Sequence, residues 1–189
     1  MRLYDKLPDS VEFNGKRIRL DLDFRNVIRM IDTISKDDIL PEAREYCALK
    51  CICKHPVSGM YPAVADLLGF KPHEARQKVT DFEQDADLIR AAFFQVYGIN
   101  LFRDRLHWFE FSALLTGLPE GNKYTDVLSI RSRPIPEATK YNEKEREWLI
   151  RAKAEYSLKY TEQEIERNYS ESVKKIGAFL ISLAGDGGK

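Results

Sequence analysis

The chain has 189 residues, 43% hydrophobic and 32% charged, enough for one domain or for a domain with a helical appendage. Its 30 Lys/Arg and 30 Asp/Glu cancel, which excludes a global attraction to nucleic acid or to an acidic membrane surface. The opening MRLYDKLPDS is polar and unlike a signal peptide, no apolar run approaches the roughly 20 residues of a membrane span, and three cysteines, an odd number, fit a reducing cytosol better than a disulfide framework.

Apolar and polar residues alternate in Val11–Phe13 and again in Ile18–Leu20, with Asn14-Gly15 between them. Asn-Gly supplies the positive φ angles of a tight turn, so the spacing predicts a β-hairpin over about Ser10–Leu20. A lone hairpin is marginal in water and must pack on helices. Asp21 or Asp23 then caps a helix carrying Phe24, Val27, Ile28 and Ile31. Asp38 and Pro41 open a second helix through about Lys54. His55-Pro56, Ser58-Gly59 and Pro62 mark an irregular connection, followed by a short helix, Ala63–Leu68, that stops at Gly69. Lys71–Thr80 reads equally as helix or loop.

Phe82, Ala86, Ile89, Phe93 and Val96 recur at helical spacing, and Gly98 supplies a left-handed stop. The next stretch, Tyr97–Leu118, contains a helix from about Asp104 to Thr116 that ends the same way at Gly117. Its apolar residues fall on two sides: Leu106, Phe109 and Ala113 on one, Trp108, Phe111 and Leu115 on another. A helix apolar over most of its circumference belongs inside a bundle or under a partner. A short helix, Tyr124–Arg131, follows the turn at Leu118–Gly121.

Pro134-Ile135-Pro136 divides the chain into a hairpin plus compact helical domain, 1–135, and a charged helical C-terminal segment, 136–189. In the latter, Glu147–Arg151, Glu155–Lys159 and Glu171–Lys175 are acid-first pairs four residues apart. Thr161-Glu-Gln-Glu164 is a capping box, and Ile165, Tyr169, Val173, Ile176, Leu180 and Leu183 give the helix after it a narrow apolar seam. That seam packs either back on the domain or against another helix in trans. The fold class expected is mainly α, a helical bundle with an N-terminal β-hairpin.

Four constellations bear on chemistry. Cys47, Cys51, Cys53 and His55 carry zinc-type donors, but their spacing departs from known tetrahedral patterns, and they read as side chains filling a helix interface. His107, three residues before Glu110, has no nucleophile in a recognisable motif; it reads as a histidine packed on aromatics with a nitrogen on a carboxylate or carbonyl. Asp81, Glu83, Asp85 and Asp87 complement the dipole of a helix start. Arg131-Ser-Arg133, near Lys123 and Lys140, is the most basic neighbourhood, short and flanked by acids. No phosphate-binding glycine loop occurs. An enzyme is therefore not expected, nor are a cofactor, a metal, a nucleic acid, a membrane or a small-molecule ligand. Trp108, Phe109 and Phe111 are candidate partner contacts, as aromatics dominate interface energetics, although at least two of the three are expected in the core.

Three strings, DLDFRNVI at Asp21–Ile28, DADLIRAAFFQVYGINL at Asp85–Leu101 and LHWFEFSALLTGLPEGNKYTDVLSIR at Leu106–Arg131, resemble a family of tailed-phage and prophage proteins of Gram-positive hosts. The resemblance spans roughly Leu3 to Tyr169. Asn100 departs from the family's acidic residue there, which implies a weaker cap if that acid caps a helix. Members lie in the tail-assembly region of long-tailed siphophage genomes. The resemblance implies a tail assembly chaperone, working in the host cytoplasm, that binds the tape measure protein encoded beside it, with other tail proteins or a second copy as further partners. The alternative it leaves open is a structural tail-completion or connector component of the virion. On this reading Trp108, Phe109 and Phe111, with Ile165, Tyr169, Val173 and Ile176, are the partner-binding candidates, and no catalytic residue is implied.

Overall fold

A computed structural model describes residues 5–36, 39–70 and 78–160. The chain divides into a compact unit, Met1–Ser157, and a second unit, Leu158–Lys189. The described residues hold a two-stranded hairpin, β1 (Ser10–Phe13) and β2 (Lys16–Arg19), and seven helices. These are α1 (Phe24–Ile34), α2 (Pro41–Lys50), α3 (Tyr61–Leu68), α4 (Ala86–Tyr97), α5 (Trp108–Thr116), α6 (Lys123–Ser132) and α7 (Glu143–Glu155). The mainly α class with an N-terminal hairpin is as expected. No described helix is long and apolar enough to cross a membrane.

The hairpin is antiparallel, pairing Val11 with Ile18 and Phe13 with Lys16. Asn14 and Gly15 take φ of 49° and 70°, the positive values a two-residue turn of this hand needs. Val11 is buried and β1 lies against α3, which is how this otherwise marginal ribbon is held.

The core centres on Phe111 of α5. Its ring stacks on Phe24 of α1 at 4.6 Å and on Phe93 of α4 at 5.2 Å, with Phe82 and Trp108 alongside. Aromatic pairs of this kind each add about 0.5–1.5 kcal/mol beyond burial. Helices α1, α4 and α5 therefore meet around one ring, with α2 packed on α1, and α6 on α4.

Two helix starts cap each other. Asp23 and His107, the residues before α1 and α5, form an isolated antiparallel bridge. Phe24 N–H donates to the Leu106 carbonyl at 3.0 Å, and Trp108 N–H donates to the Leu22 carbonyl at 2.8 Å. Each helix's first amide, orphaned within its own helix, is thus satisfied by the strand entering the other. Of the two aspartates proposed as the α1 cap, Asp23 makes the bond, accepting from Arg25 N–H at 3.1 Å.

Several boundaries differ from expectation for identifiable reasons. Helix α2 ends at Lys50, not Lys54; beyond it the Ile52 carbonyl accepts from Asp21 N–H at 2.7 Å, which ties this stretch to the chain entering α1. Helix α4 starts at Ala86, not Phe82, because Asp81 first accepts from Glu83 and Gln84 N–H, both at 2.9 Å, in a separate turn. Helix α5 starts at Trp108, not Asp104, so Leu106 precedes it. Asn100 caps no helix. Its side chain accepts from Phe102 N–H at 3.0 Å while Asp104 accepts from Asn100 N–H at 2.7 Å, closing a local turn. Gly98 stops α4 with φ 68° as expected, but Gly117 has φ −86°. Gly117 is there for space: an added Cβ would lie 3.1 Å from the Ala113 carbonyl and 3.6 Å from the Tyr97 hydroxyl.

Helix α7 packs on α6 through buried Leu149 and Ala152, so the compact unit extends past Pro134–Pro136 to Ser157. The Glu147–Arg151 pair is formed at 3.5 Å on the exposed face of α7, where such a pair contributes little. The open question of Lys71–Thr80, the Glu171–Lys175 pair, the Thr161–Glu164 capping box and the seam from Ile165 to Leu183 lie wholly or mostly outside the described residues.

Candidate interaction surface

Trp108, Phe109 and Phe111 separate cleanly. Phe111 is 1% exposed and Trp108 7%, each enclosed by other aromatic rings. They are core residues, and the contact role assigned to them is corrected: a side chain that fills the centre of a close-packed interior has no surface to offer. Phe109 is half-buried, its ring stacked on His107 at 5.5 Å. Ile165, Tyr169, Val173 and Ile176 lie outside the described residues.

His107 is fully employed in structure. Its Nδ1 accepts from Phe109 N–H at 3.2 Å, and its Nε2 lies 2.9 Å from the Pro8 carbonyl. An amide only donates and a carbonyl only accepts, so the neutral ring with hydrogen on Nε2 satisfies both. Glu110 completes a capping box by accepting from His107 N–H at 3.0 Å. The ring therefore starts α5 and ties the chain ahead of the hairpin to it.

The three cysteines occupy different surroundings: Cys47 exposed, Cys51 intermediate, Cys53 buried. Among the described residues no group of three or more His, Cys, Asp or Glu is placed to hold a metal.

The acidic run and the basic run, 46 residues apart, come together. Asp85, 1% exposed, makes no cap bond for α4. Its carboxylate instead receives the Arg131 guanidinium at 2.7 and 2.9 Å, and Asp81 N–H at 3.0 Å. Arg131 also donates to the carbonyls of Val79 at 3.0 Å and Tyr156 at 2.6 Å, and Lys153 donates to the Arg131 carbonyl at 2.7 Å. Tyr124, joined to Thr80 at 3.0 Å, has its hydroxyl pKa pushed up, by burial first and by the nearby Asp85 charge. The dipole reading of Asp85 gives way to this buried pair, which also takes up the first arginine of the basic neighbourhood. Of the neighbouring cations, Arg133 pairs with Glu145, and Lys123 donates to the Tyr156 hydroxyl at 2.6 Å.

What the surface does offer is a cleft of about 300 Å³ between α1 and α4, closed at one end by the loop after α4. Its apolar lining comes from half-buried Ile28, Phe82 and Ala86 over the buried core residues Phe24, Ile89, Leu101 and Phe111, and Arg25, Arg29 and Arg90 line it too. Phe102, 71% exposed, lies beside it with the Arg90 guanidinium 4.6 Å above its ring. Phe94, also exposed, is one turn beyond Arg90 on the same face of α4. Trp148 is exposed on α7. None of these three aromatics stood out in the sequence, although a signal was present. Phe94 and Trp148 adjoin inward residues, Phe93 and Leu149, and neighbours on a helix project about 100° apart, which turns these two outward.

No curated protein and no solved structure matches the chain. A family model described as Bacteriophage Gp15 protein matches residues 3–71 and 66–158, nearly the whole of the compact unit. The chain is a phage protein and belongs to the Bacteriophage Gp15 protein family.

Proposed function

We propose that this phage protein acts in virion morphogenesis as a tail assembly chaperone, binding the tape measure protein in the host cytoplasm until tail tube subunits replace it. The role is binding, without catalysis or cofactor. The observation that carries it is the pair of exposed aromatics, Phe102 and Phe94, beside the α1–α4 cleft of a small helical protein. Isolated exposed apolar residues are ordinary, but large aromatics grouped around a cleft are the usual anchors of protein interfaces. A tape measure is long and helical with apolar seams, and such seams left bare aggregate. The groups that suggested chemistry support the same reading, since His107 is engaged as a helix cap and Asp85 and Arg131 engage each other.

The test is co-expression with the tape measure protein of the same phage. The expected result is a co-purifying complex and a tape measure that stays in the soluble fraction. No complex and no gain in solubility would overturn the proposal. Mass spectrometry of purified particles adds a second arm: a chaperone is absent from the mature virion, whereas a fixed copy number there would favour a connector or tail-completion component.

A further inference from the structure

Helix α7 stands apart from the main core. Buried residues of α1 to α6 all enter that core, and α7 alone among the described helices contributes none. Among the described elements α6 packs on α4 and on α7. Its Tyr124 joins the core, whereas Val127, although 0% exposed, does not. A side chain so enclosed that misses the α4 side is covered from the other, by α7 with its buried Leu149 and Ala152. The α6–α7 contact is therefore a small apolar satellite beside the core.

What else holds α7 is polar. The C-terminal ends of α6 and α7 exchange donors: Arg131 Nε donates to the Tyr156 carbonyl at 2.6 Å, and Lys153 Nζ donates to the Arg131 carbonyl at 2.7 Å. Each satisfies a carbonyl at a helix end that its own helix leaves without a partner. Arg133 and Glu145 pair with both side chains half exposed, and Lys123 meets the Tyr156 hydroxyl at the surface, so neither adds much. Arg146, one turn before Leu149 on the same side of α7, has its Nε buried with no hydrogen-bond partner among the described residues. That is a cost of the closed arrangement.

The Arg131 guanidinium marks the boundary. Its two terminal nitrogens hold Asp85 and the Val79 carbonyl, and its Nε reaches α7. Loss of the Tyr156 bond therefore leaves the buried ion pair intact. The connection from α6 to α7, Arg133–Asn142, is exposed along nearly all its length. Its own bonds are local, Thr139 N–H donating to Asn142 at 2.8 Å and the Asn142 amide to the Glu137 carbonyl at 2.9 Å. Pro134 and Pro136 keep it from continuing α6 as helix.

We propose that α7 is a strap over α6, which swings off as one piece about Arg133–Asn142 while the core around Phe111 stays folded, with the Arg131–Tyr156 and Lys153–Arg131 bonds as its latch. Opening bares Val127 on α6 and Leu149 and Ala152 on α7. The fold thus holds a closed and an open state, whose balance a binder of either face would shift. The device belongs to the fold and does not rest on the chaperone reading.

The test is hydrogen exchange of the full chain in native buffer, followed residue by residue by NMR. The expected result is that interior amides of α7, corrected for intrinsic rates, share one level of protection at least about hundredfold below that of α1, α4 and α5. Leu149→Ala should lower α7 protection by a further tenfold or more, and Lys153→Met by about fivefold, with α4 and α5 within about twofold of wild type. Complete loss of α7 protection in Leu149→Ala beside a protected core is the same result at its limit.

Equal protection of α7 and the core in the wild type would overturn the strap, because α7 would then open only with the whole unit. So would a loss in α4 and α5 on Leu149→Ala as large as that in α7. Protection that declines gradually toward both ends of α7 would mean fraying and would overturn it too, while wild-type protection in Lys153→Met would remove the latch. None of these readings involves a tape measure, so the strap and the chaperone role fail separately.

Discussion

Arg131 and Arg29 sit on two helices of the same compact unit and meet opposite fates. Arg131 is enclosed between α6, α7 and the start of α4, where Asp85 and the carbonyls of Val79 and Tyr156 absorb its donors. Arg29 stands beside the α1–α4 cleft, and among the described residues its one hydrogen bond is a long one to Asn26. Side-chain type does not separate the two; the presence of a buried carboxylate does. Where the fold brings an acid against an arginine out of water, the charge becomes part of the framework and is lost to partners. Where the facing surface is apolar, the charge stays available. The same division runs through the aromatics, with Phe111 at the centre of a ring cluster and Phe102 outside it.

The largest break in that comparison comes from the enclosed side. Asp85→Ala leaves the Arg131 guanidinium buried without its carboxylate and should cost about 3–5 kcal/mol in urea unfolding. Phe111→Ala should fall in the same range, since the rings stacked on it, Phe24 and Phe93, are held by their own helices and do not collapse onto the hole. Next comes the capping junction. His107→Ala removes both the α5 cap and the tie to Pro8 and should cost about 1–2 kcal/mol, with His107→Asn recovering part of it because Asn also caps.

A smaller, pH-dependent effect sets Asp32, a carboxyl with no arginine brought against it among the described residues, beside Asp85. The folded Asp32 pKa is raised, so the folded state binds its proton more tightly than the unfolded chain does. Its contribution is therefore fully favourable below about pH 4, the unfolded value, and is lost as pH rises through the folded pKa. Asp32→Asn should stabilise the protein slightly at pH 7 and leave its melting temperature unchanged at pH 3. Smallest in stability are Arg29→Glu and Phe102→Ala, expected within about 0.5 kcal/mol of wild type by denaturant titration. Destabilisation of either by several times that amount would place the residue in the framework and erase the contrast.

The hairpin was legible because Asn14-Gly15 imposes its turn through local backbone sterics. The α4 seam was legible because burial of Ile89 and Phe93 follows helical period, and Gly98 ends it through its own φ. The start of α5 was harder. Leu106, Trp108 and Phe111 read as one helix, yet Leu106 is needed as a carbonyl acceptor for Phe24, far earlier in the chain. Of the proposed contact residues, the helical periodicity around Trp108 and Phe111 spoke of burial without naming what covers them, and the covering rings proved to be Phe24, Phe93, Phe82 and Phe70 of this same chain.

By itself the sequence determined the helical class, the hairpin and the left-handed stop at Gly98, all consequences of interactions between residues a few positions apart. Only the tertiary structure decided that Asp85 would hold Arg131, that His107 would start a helix, and that Arg29 and Phe102 would be left facing outward. Those outcomes depend on which groups are brought within hydrogen-bonding reach once distant helices pack, and on how much water the packing leaves around each charge.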